Sequence, residues 1–384
     1  MASARVAVAA LFLTNGALFA NLLPRYPEIK TDLAMSNAVY GAAVASFSAG
    51  ALMAGPAAAA LIRRFQSARV AVATTVALGL FIVVAGLAST PWVFAAALFA
   101  AGACDSVTDV AQNVNGLRLQ RDYGRSIINS LHAVWAVGAI IGGLMGAAAI
   151  ALEVPRPVHL GVAAVVFCGV VLAAYPHLLH GPDHDNHPST HDTDRSGVGA
   201  AVLLTLLALV GMAVAGATVE DAGSSWATLY LRDSLGAPGA VAVMGYVALV
   251  GFMFIGRMLG DRLVDRFGDR AVARSGGLVA ALGMGTALAF PTVPVTVVGF
   301  AAAGLGVATV IPAAMRAADE LPGLRPGTGL TVLTWLMRVG FLGAPLIVGI
   351  VADATSLRVG LLTVPVAGVA IVLLAGALGA RRRA

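Results

Sequence analysis

The sequence predicts an all-α membrane protein of twelve transmembrane helices, built as two six-helix pseudo-symmetric halves. Three observations predict it. The 384-residue chain is 59% hydrophobic and 11% charged, against about 25% charged in a soluble domain, so most of its surface must face lipid. Its apolar runs are about 18–25 residues long, enough for a helix to cross a bilayer, and show none of the ten-residue alternation of a barrel. A polar stretch over roughly 180–197 divides the chain nearly in half.

The apolar segments run approximately over 5–24, 37–62, 69–89, 92–117, 128–151, 157–179, 198–222, 239–260, 271–290, 294–317, 328–351 and 357–379. The first follows Arg5 as a signal peptide would, but Asn15, Gly16 and Asn21 interrupt it, so an uncleaved helix is expected. The fifth carries Gly138, Gly142 and Gly146 four apart, a spacing that admits a close helix neighbour. Sliding one half over the other by about 202 positions places Arg64-Phe65 on Arg266-Phe267 and Gly138 on Gly340. The expected organisation is a bundle over 1–180, a His/Asp-rich linker over 181–197 and a second bundle over 198–384. An internal repeat of this kind is a transporter signature.

Laying the loops alternately on two sides places 18 of the 24 basic residues on one side and five on the other, with Arg338 inside a span. The positive-inside rule makes the crowded side cytoplasmic, and both termini with it. The net charge of +5 then records topology, and no nucleic-acid partner is expected. Lys30, the one lysine, follows no glycine-rich loop, which excludes a P-loop ATPase. Cys104 and Cys168 sit in apolar segments, so neither a disulfide framework nor a cysteine metal site is expected. His177, His180, His184, His187 and His191 alternate at three and four, but Gly181, Pro182 and Pro188 interrupt any helix that would align them. No metal and no cofactor are expected.

Between the eighth and ninth segments the chain reads Gly256-Arg257-Met258-Leu259-Gly260-Asp261-Arg262-Leu263-Val264-Asp265-Arg266-Phe267-Gly268-Asp269-Arg270. This resembles the G-x-x-x-D-R-x-G-R loop of the major facilitator superfamily. The resemblance implies a cytoplasmic gate, in which Gly256 and Gly260 allow close helix approach and Asp261 and Asp265 pair with arginines and helix ends. Arg266, Gly268 and Arg270 complete the motif. Its counterpart in the first half is degenerate. Arg63-Arg64-Phe65-Gln66 has no acid beside it, and any latch there would draw on Asp122. Further stretches (Arg25 to Ile29, Asp109 to Val114, Ser130 to Ala133, Glu220 to Trp226, Tyr230 to Arg232) are similar to a bacterial branch of that superfamily distantly related to the fucose-permease group. The resemblance implies a multi-pass protein of the bacterial inner membrane that works as a monomer.

Asp105, Asp109 and Asn113 lie at i, i+4 and i+8 in the fourth segment, hence on one helical face. A carboxylate facing hydrocarbon would cost several kcal/mol, so these should face the bundle interior, water or a cation. Such carboxyls suit a carrier that binds and releases a proton; the alternative is a structural network with Arg118 or Arg338. Glu220 and Asp221 stand beside Gly223-Ser224-Ser225, a break expected to unwind the seventh helix and free backbone groups for a polar solute. Solvated acids at an exposed helix end are the alternative there. Arg338, one turn from Trp335, is expected to pair with Asp105 or Asp109 or to hold an anionic solute. Asn15, Asn21, His132, Trp135 and Tyr246 are weaker candidates, and a lone histidine is commonly a packing residue.

These observations point to a secondary active transporter of a small organic solute, coupled to protons, with lipid as its only other partner and no enzymatic step. A drug or metabolite exporter is the alternative, although the fifth segment lacks the proline of the commonest antiport motif. A non-transporting sensor would need a folded output domain, and no polar stretch is long enough for one.

Overall fold

A computed structural model of the chain describes residues 2–123, 127–181, 199–324 and 327–379. Among them, twelve helical segments are long and apolar enough to cross a membrane: α1 Ser3–Asp32, α2 Asn37–Phe65, α3 Ser67–Gly86, α4 Pro91–Asp122, α5 Ser130–Ala151, α6 Arg156–His177, α7 Ala200–Ser234, α8 Gly239–Phe267, α9 Asp269–Ala289, α10 Val293–Asp319, α11 Thr328–Ala354 and α12 Leu357–Ala377. Several overrun the apolar runs that predicted them. α1 continues through a tight turn at Leu23–Arg25 into a helix over Tyr26–Asp32, and α8 carries its charged motif to Phe267 in unbroken helix. Hydropathy marks the part of a helix that meets lipid, and the backbone ladder continues past it while water or side chains satisfy the ends.

The chain forms two compact units, Met1–Asp185 with Pro238–Val243, and Asn186–Ala237 with Met244–Ala384. In the first, α2 packs on α4, α1 on α5, α3 on α4 and α6, and α1 on α6. In the second, α8 packs on α10, α7 on α11, α9 on α10 and α12, and α7 on α12. These are the same pairings six helices later.

The seams repeat residue by residue. A Cβ at Gly102 would strike the Phe47 carbonyl, and one at Gly304, 202 positions on, would strike that of Leu249. Likewise Gly138 lies against the Leu13 carbonyl and Gly340 against that of Val214. Lipid offers helices no hydrophobic incentive to associate, so contact depends on backbones approaching closely, which glycine permits. The guanidinium of Arg64 stands 5.2 Å from the Phe65 ring centre and that of Arg266 stands 5.3 Å from Phe267. The repeat read at an offset of 202 is therefore present in the packing.

One expectation fails at α7. The helix runs unbroken from Ala200 to Leu229, through Gly223-Ser224-Ser225. Both hydroxyls turn back onto the same helix, Ser224 Oγ donating to the Glu220 carbonyl at 3.0 Å and Ser225 Oγ to Asp221 Oδ1 at 3.0 Å. Satisfied in this way, the serines need no unwound backbone. The irregularity comes one turn later, as a wider π-helical turn over Tyr230–Ser234.

Candidate functional site

In the first unit, a polar track crosses α1, α4 and α5. Asn15, 3% exposed on α1, is held from both sides: Trp135 Nε1 donates to its Oδ1 at 2.8 Å, and its Nδ2 donates to Asp105 Oδ1 at 2.8 Å. The two bonds fix the orientation of the amide and aim a donor at the carboxylate. One turn further along α4, Asp109 Oδ1 accepts from Asn113 Nδ2 at 3.0 Å and from Gln112 Nε2 at 3.4 Å. Asn113 Oδ1 meets His132 Nε2 at 3.1 Å. Since that amide oxygen can only accept, the imidazole carries its hydrogen on Nε2. The His132 ring stands edge-on to Phe12, centres 5.3 Å apart.

Sequence reasoning placed Asp105, Asp109 and Asn113 on one face, and the structure brings them together with Asn15 and His132. Asp105 is half-buried and Asp109 is accessible. Arg118 turns to the end of α6. It donates to the carbonyls of Leu179, His180 and Gly181 at 3.4, 3.0 and 3.2 Å, and so closes the C-terminal end of α6, where unpaired carbonyls attract a cation.

A second network at the other end of the same unit was missed. Arg25, 5% exposed, donates through Nε to His159 Nδ1 at 3.3 Å, through NH1 to Glu28 Oε2 at 3.0 Å and through NH2 to the Val154 carbonyl at 2.6 Å. His159 Nε2 meets Asn21 Oδ1 at 2.9 Å, and Asn21 Nδ2 donates to the Ala17 carbonyl at 2.8 Å. Arg156 braces the outside, 2.8 Å from Asp32 and 3.4 Å from Glu28. The sequence marked Arg25 as a topological charge and as the start of a stretch that carries the family resemblance, but gave it no partner. His159 gave no signal, because a lone histidine near a helix start has no periodic partner.

In the second unit the acids of α7 part ways. Asp221 turns inward, 8% exposed, with Oδ1 on Ser225 and Oδ2 lacking a hydrogen-bond partner among the described residues. This excludes the solvated helix end. Glu220 Oε2 lies 3.9 Å from Arg257 NH2. Arg257 thus belongs to the interior of α8, where the sequence reading had counted it as a cytoplasmic loop charge. Arg338 is half-buried and makes no hydrogen bond or ion pair among the described residues. Trp335 is 56% exposed.

The gate motif needs correction. Asp261 and Asp265 are exposed in the last turns of α8 and form no ion pair among the described residues. The pair that forms is one turn beyond, Arg316 NH2 to Asp269 Oδ1 at 2.7 Å, joining the end of α10 to the start of α9. Asp269 opens its helix, where the backbone N–H groups favour an acid. Gly268, at φ 83°, makes the break, and Gly256 and Gly260 abut Ala308 and Thr309 of α10. Asp122 is exposed and forms no ion pair among the described residues. Linker residues His184, His187 and His191 lie outside the described residues.

A family model described as Major Facilitator Superfamily matches residues 8–264. The chain is 32% identical over 356 residues to the uncharacterized transporter y4wD of Sinorhizobium fredii, covering 91% of this chain and 92% of the relative. It is 29% identical over 373 residues to membrane protein MosC of Rhizobium meliloti, covering 94% and 87%. Among solved structures, a mutant of the nucleoside transporter NupG superposes with a TM-score of 0.80 at 13% identity, covering 98% of this chain and 99% of that one. A bacterial homologue of the lysosomal transporter Spinster gives 0.78 at 14% identity, covering 97% and 95%.

Proposed function

Because the chain belongs to the major facilitator superfamily of membrane transporters, we propose that it is a secondary active transporter of a small organic solute. It works by alternating access in the bacterial inner membrane, as a monomer with both termini in the cytoplasm. Transport is coupled to protons, with Asp109 and Glu220 as the titrating or solute-binding groups and Arg338 as a counter-charge. The observation that carries the reading is the polar track of Asn15, Asp105, Trp135, Asp109, Asn113 and His132. Two carboxylates, two amides and an imidazole gathered within apolar spans are costly to place in lipid and mark a pathway.

Uptake of a solute panel into proteoliposomes, with and without an imposed pH gradient, tests it. Accumulation that follows the gradient and collapses with it is expected, and accumulation indifferent to the gradient would remove the coupling. Export of drugs or metabolites is the second reading, and inside-out vesicles that accumulate solute when acidified within would favour it. Cysteines placed at 63, 121 and 270 should label only from the cytoplasm, and at 30 and 233 only from outside.

A further inference from the structure

Two basic residues of the second unit that lie well inside spans, Arg257 on α8 and Arg338 on α11, are poorly supplied with acceptors among the described residues. A guanidinium carries five N–H donors in a planar fork. Arg25 shows how this protein satisfies one, with acceptors on Nε, NH1 and NH2. At Arg257 the contrast is plain. Its NH2 stands 3.9 Å from Glu220 Oε2, beyond hydrogen-bond range. Its other contact is Met253 Sδ at 3.5 Å, and a thioether is a weak acceptor. Its Nε is buried and has no hydrogen-bond partner among the described residues.

Charge points the same way. Of the two acids on α7, Asp221 is turned into the protein, onto Ser225. Among the described residues Glu220 is the acid paired with Arg257, at a distance that leaves the fork unfilled. Arg338, within α11 of the same unit, likewise has no ion pair among the described residues. Arg257 is about one-third exposed at its side chain, at 36%, so the fork is buried at its root and open at its tip. A structural arginine in a membrane span would be expected to have its donors filled. Here Nε and NH2 lack a strong acceptor among the described residues.

We propose that Arg257 receives the carboxylate of an organic-anion solute, and that Glu220 is the internal occupant which that carboxylate displaces. The idea rests on the transporter reading above and gives it a substrate class. The planar fork matches a carboxylate edge to edge, with two parallel N–H···O bonds about 2.7–2.9 Å long. A loosely held Glu220 satisfies charge in the empty carrier without competing strongly once solute arrives.

The test uses the purified full chain and matched pairs of probes at fixed pH: lactate and lactamide, benzoate and benzamide, gluconate and glucose, with inorganic phosphate as a further arm. Thermal stability is read against probe concentration. At least one carboxylate should stabilise the wild type while its neutral partner does not. R257Q should weaken that response at least about tenfold, and R257K should fall between, because an ammonium keeps the charge but not the fork. E220Q should bind the same carboxylate more tightly than the wild type. If R257Q does not fold, the E220Q result decides. Neutral partners acting as well as the acids, phosphate acting in their place, or an E220Q variant with unchanged or weaker carboxylate binding would each overturn the proposal. No response to any carboxylate from a protein that still exchanges a neutral solute in proteoliposomes would overturn it and leave the transporter reading standing. A protein that moves no solute of either kind would instead count against that reading.

Discussion

Gln66 and Gly268 hold the same backbone turn 202 positions apart, at φ 73°, ψ 146° and φ 83°, ψ 154° respectively. Each ends one spanning helix and opens the next. Glycine enters this region freely, whereas a side chain held there costs of order 1–3 kcal/mol. Gln66 recovers little of that through its Oε1, which accepts from the Gly181 N–H at 3.4 Å. Gln66→Gly should therefore raise the thermal midpoint in detergent, by about 1 kcal/mol of stability, and Gly268→Gln should lower it by at least as much. A neutral Gln66→Gly variant would mean the side chain's contact outweighs the strain.

Arg25 should be among the most costly residues in the chain to replace. Arg25→Ala strips acceptors at His159, Glu28 and Val154 of their donor at once. Breaking a buried charged network in this way costs about 3–5 kcal/mol. Arg25→Lys should recover only part, since an ammonium cannot reach three separate acceptors with fixed geometry. Denaturation midpoints of both variants, ranked against wild type, check the order.

The two carboxylates of α4 should separate in their effects. Asp105→Asn keeps an oxygen for the Asn15 amide and should fold normally, whereas Asp105→Ala leaves that donor without this acceptor and should lose about 1–3 kcal/mol. Asp109→Asn should spare stability, because the acid is accessible, and should abolish accumulation driven by a pH gradient while solute exchange without a gradient persists. Full gradient-driven accumulation in Asp109→Asn would remove it as the coupling residue.

The pair between Arg316 and Asp269 should matter to the cycle more than to the fold. Its partners are 51% and 36% exposed, and exposed pairs contribute about 0–1 kcal/mol. Asp269→Asn should leave the midpoint almost unchanged but alter transport several-fold, since even 1 kcal/mol shifts a two-state population about fivefold. Arg316→Gln should reproduce the effect, and the double variant should add nothing further. Additive losses in the double variant would show that the two act separately.

What the sequence made legible follows from physics that is local or periodic. The twelve spans, the repeat offset and the face shared by Asp105, Asp109 and Asn113 are all set by spacing, and the structure keeps them. The Arg25–His159 bond was hidden because its partners are 134 positions apart and neither has a pattern. The unwound helix expected at Gly223-Ser224-Ser225 did not appear, since serine hydroxyls in a membrane helix bond back to the preceding turn. Arg257 was misplaced because a motif known as a loop is, in this chain, the continuation of α8. Hydropathy registers charges there, but it does not register the ladder that runs through them.

The reach of Arg25 also sets a timetable for making the protein. Its NH2 meets the Val154 carbonyl 129 positions later in the chain. At about 5–20 residues per second, roughly six to twenty-five seconds of synthesis separate the arginine from this acceptor, and His159 follows only after it. Through that interval the first helix carries a cation whose later partners do not yet exist, with Glu28 alone at hand. The first hairpin therefore has reason to stay beside the insertion machinery or its headgroup layer until the sixth helix emerges. Assembly of this unit closes at its last helix, by a bond made at its first.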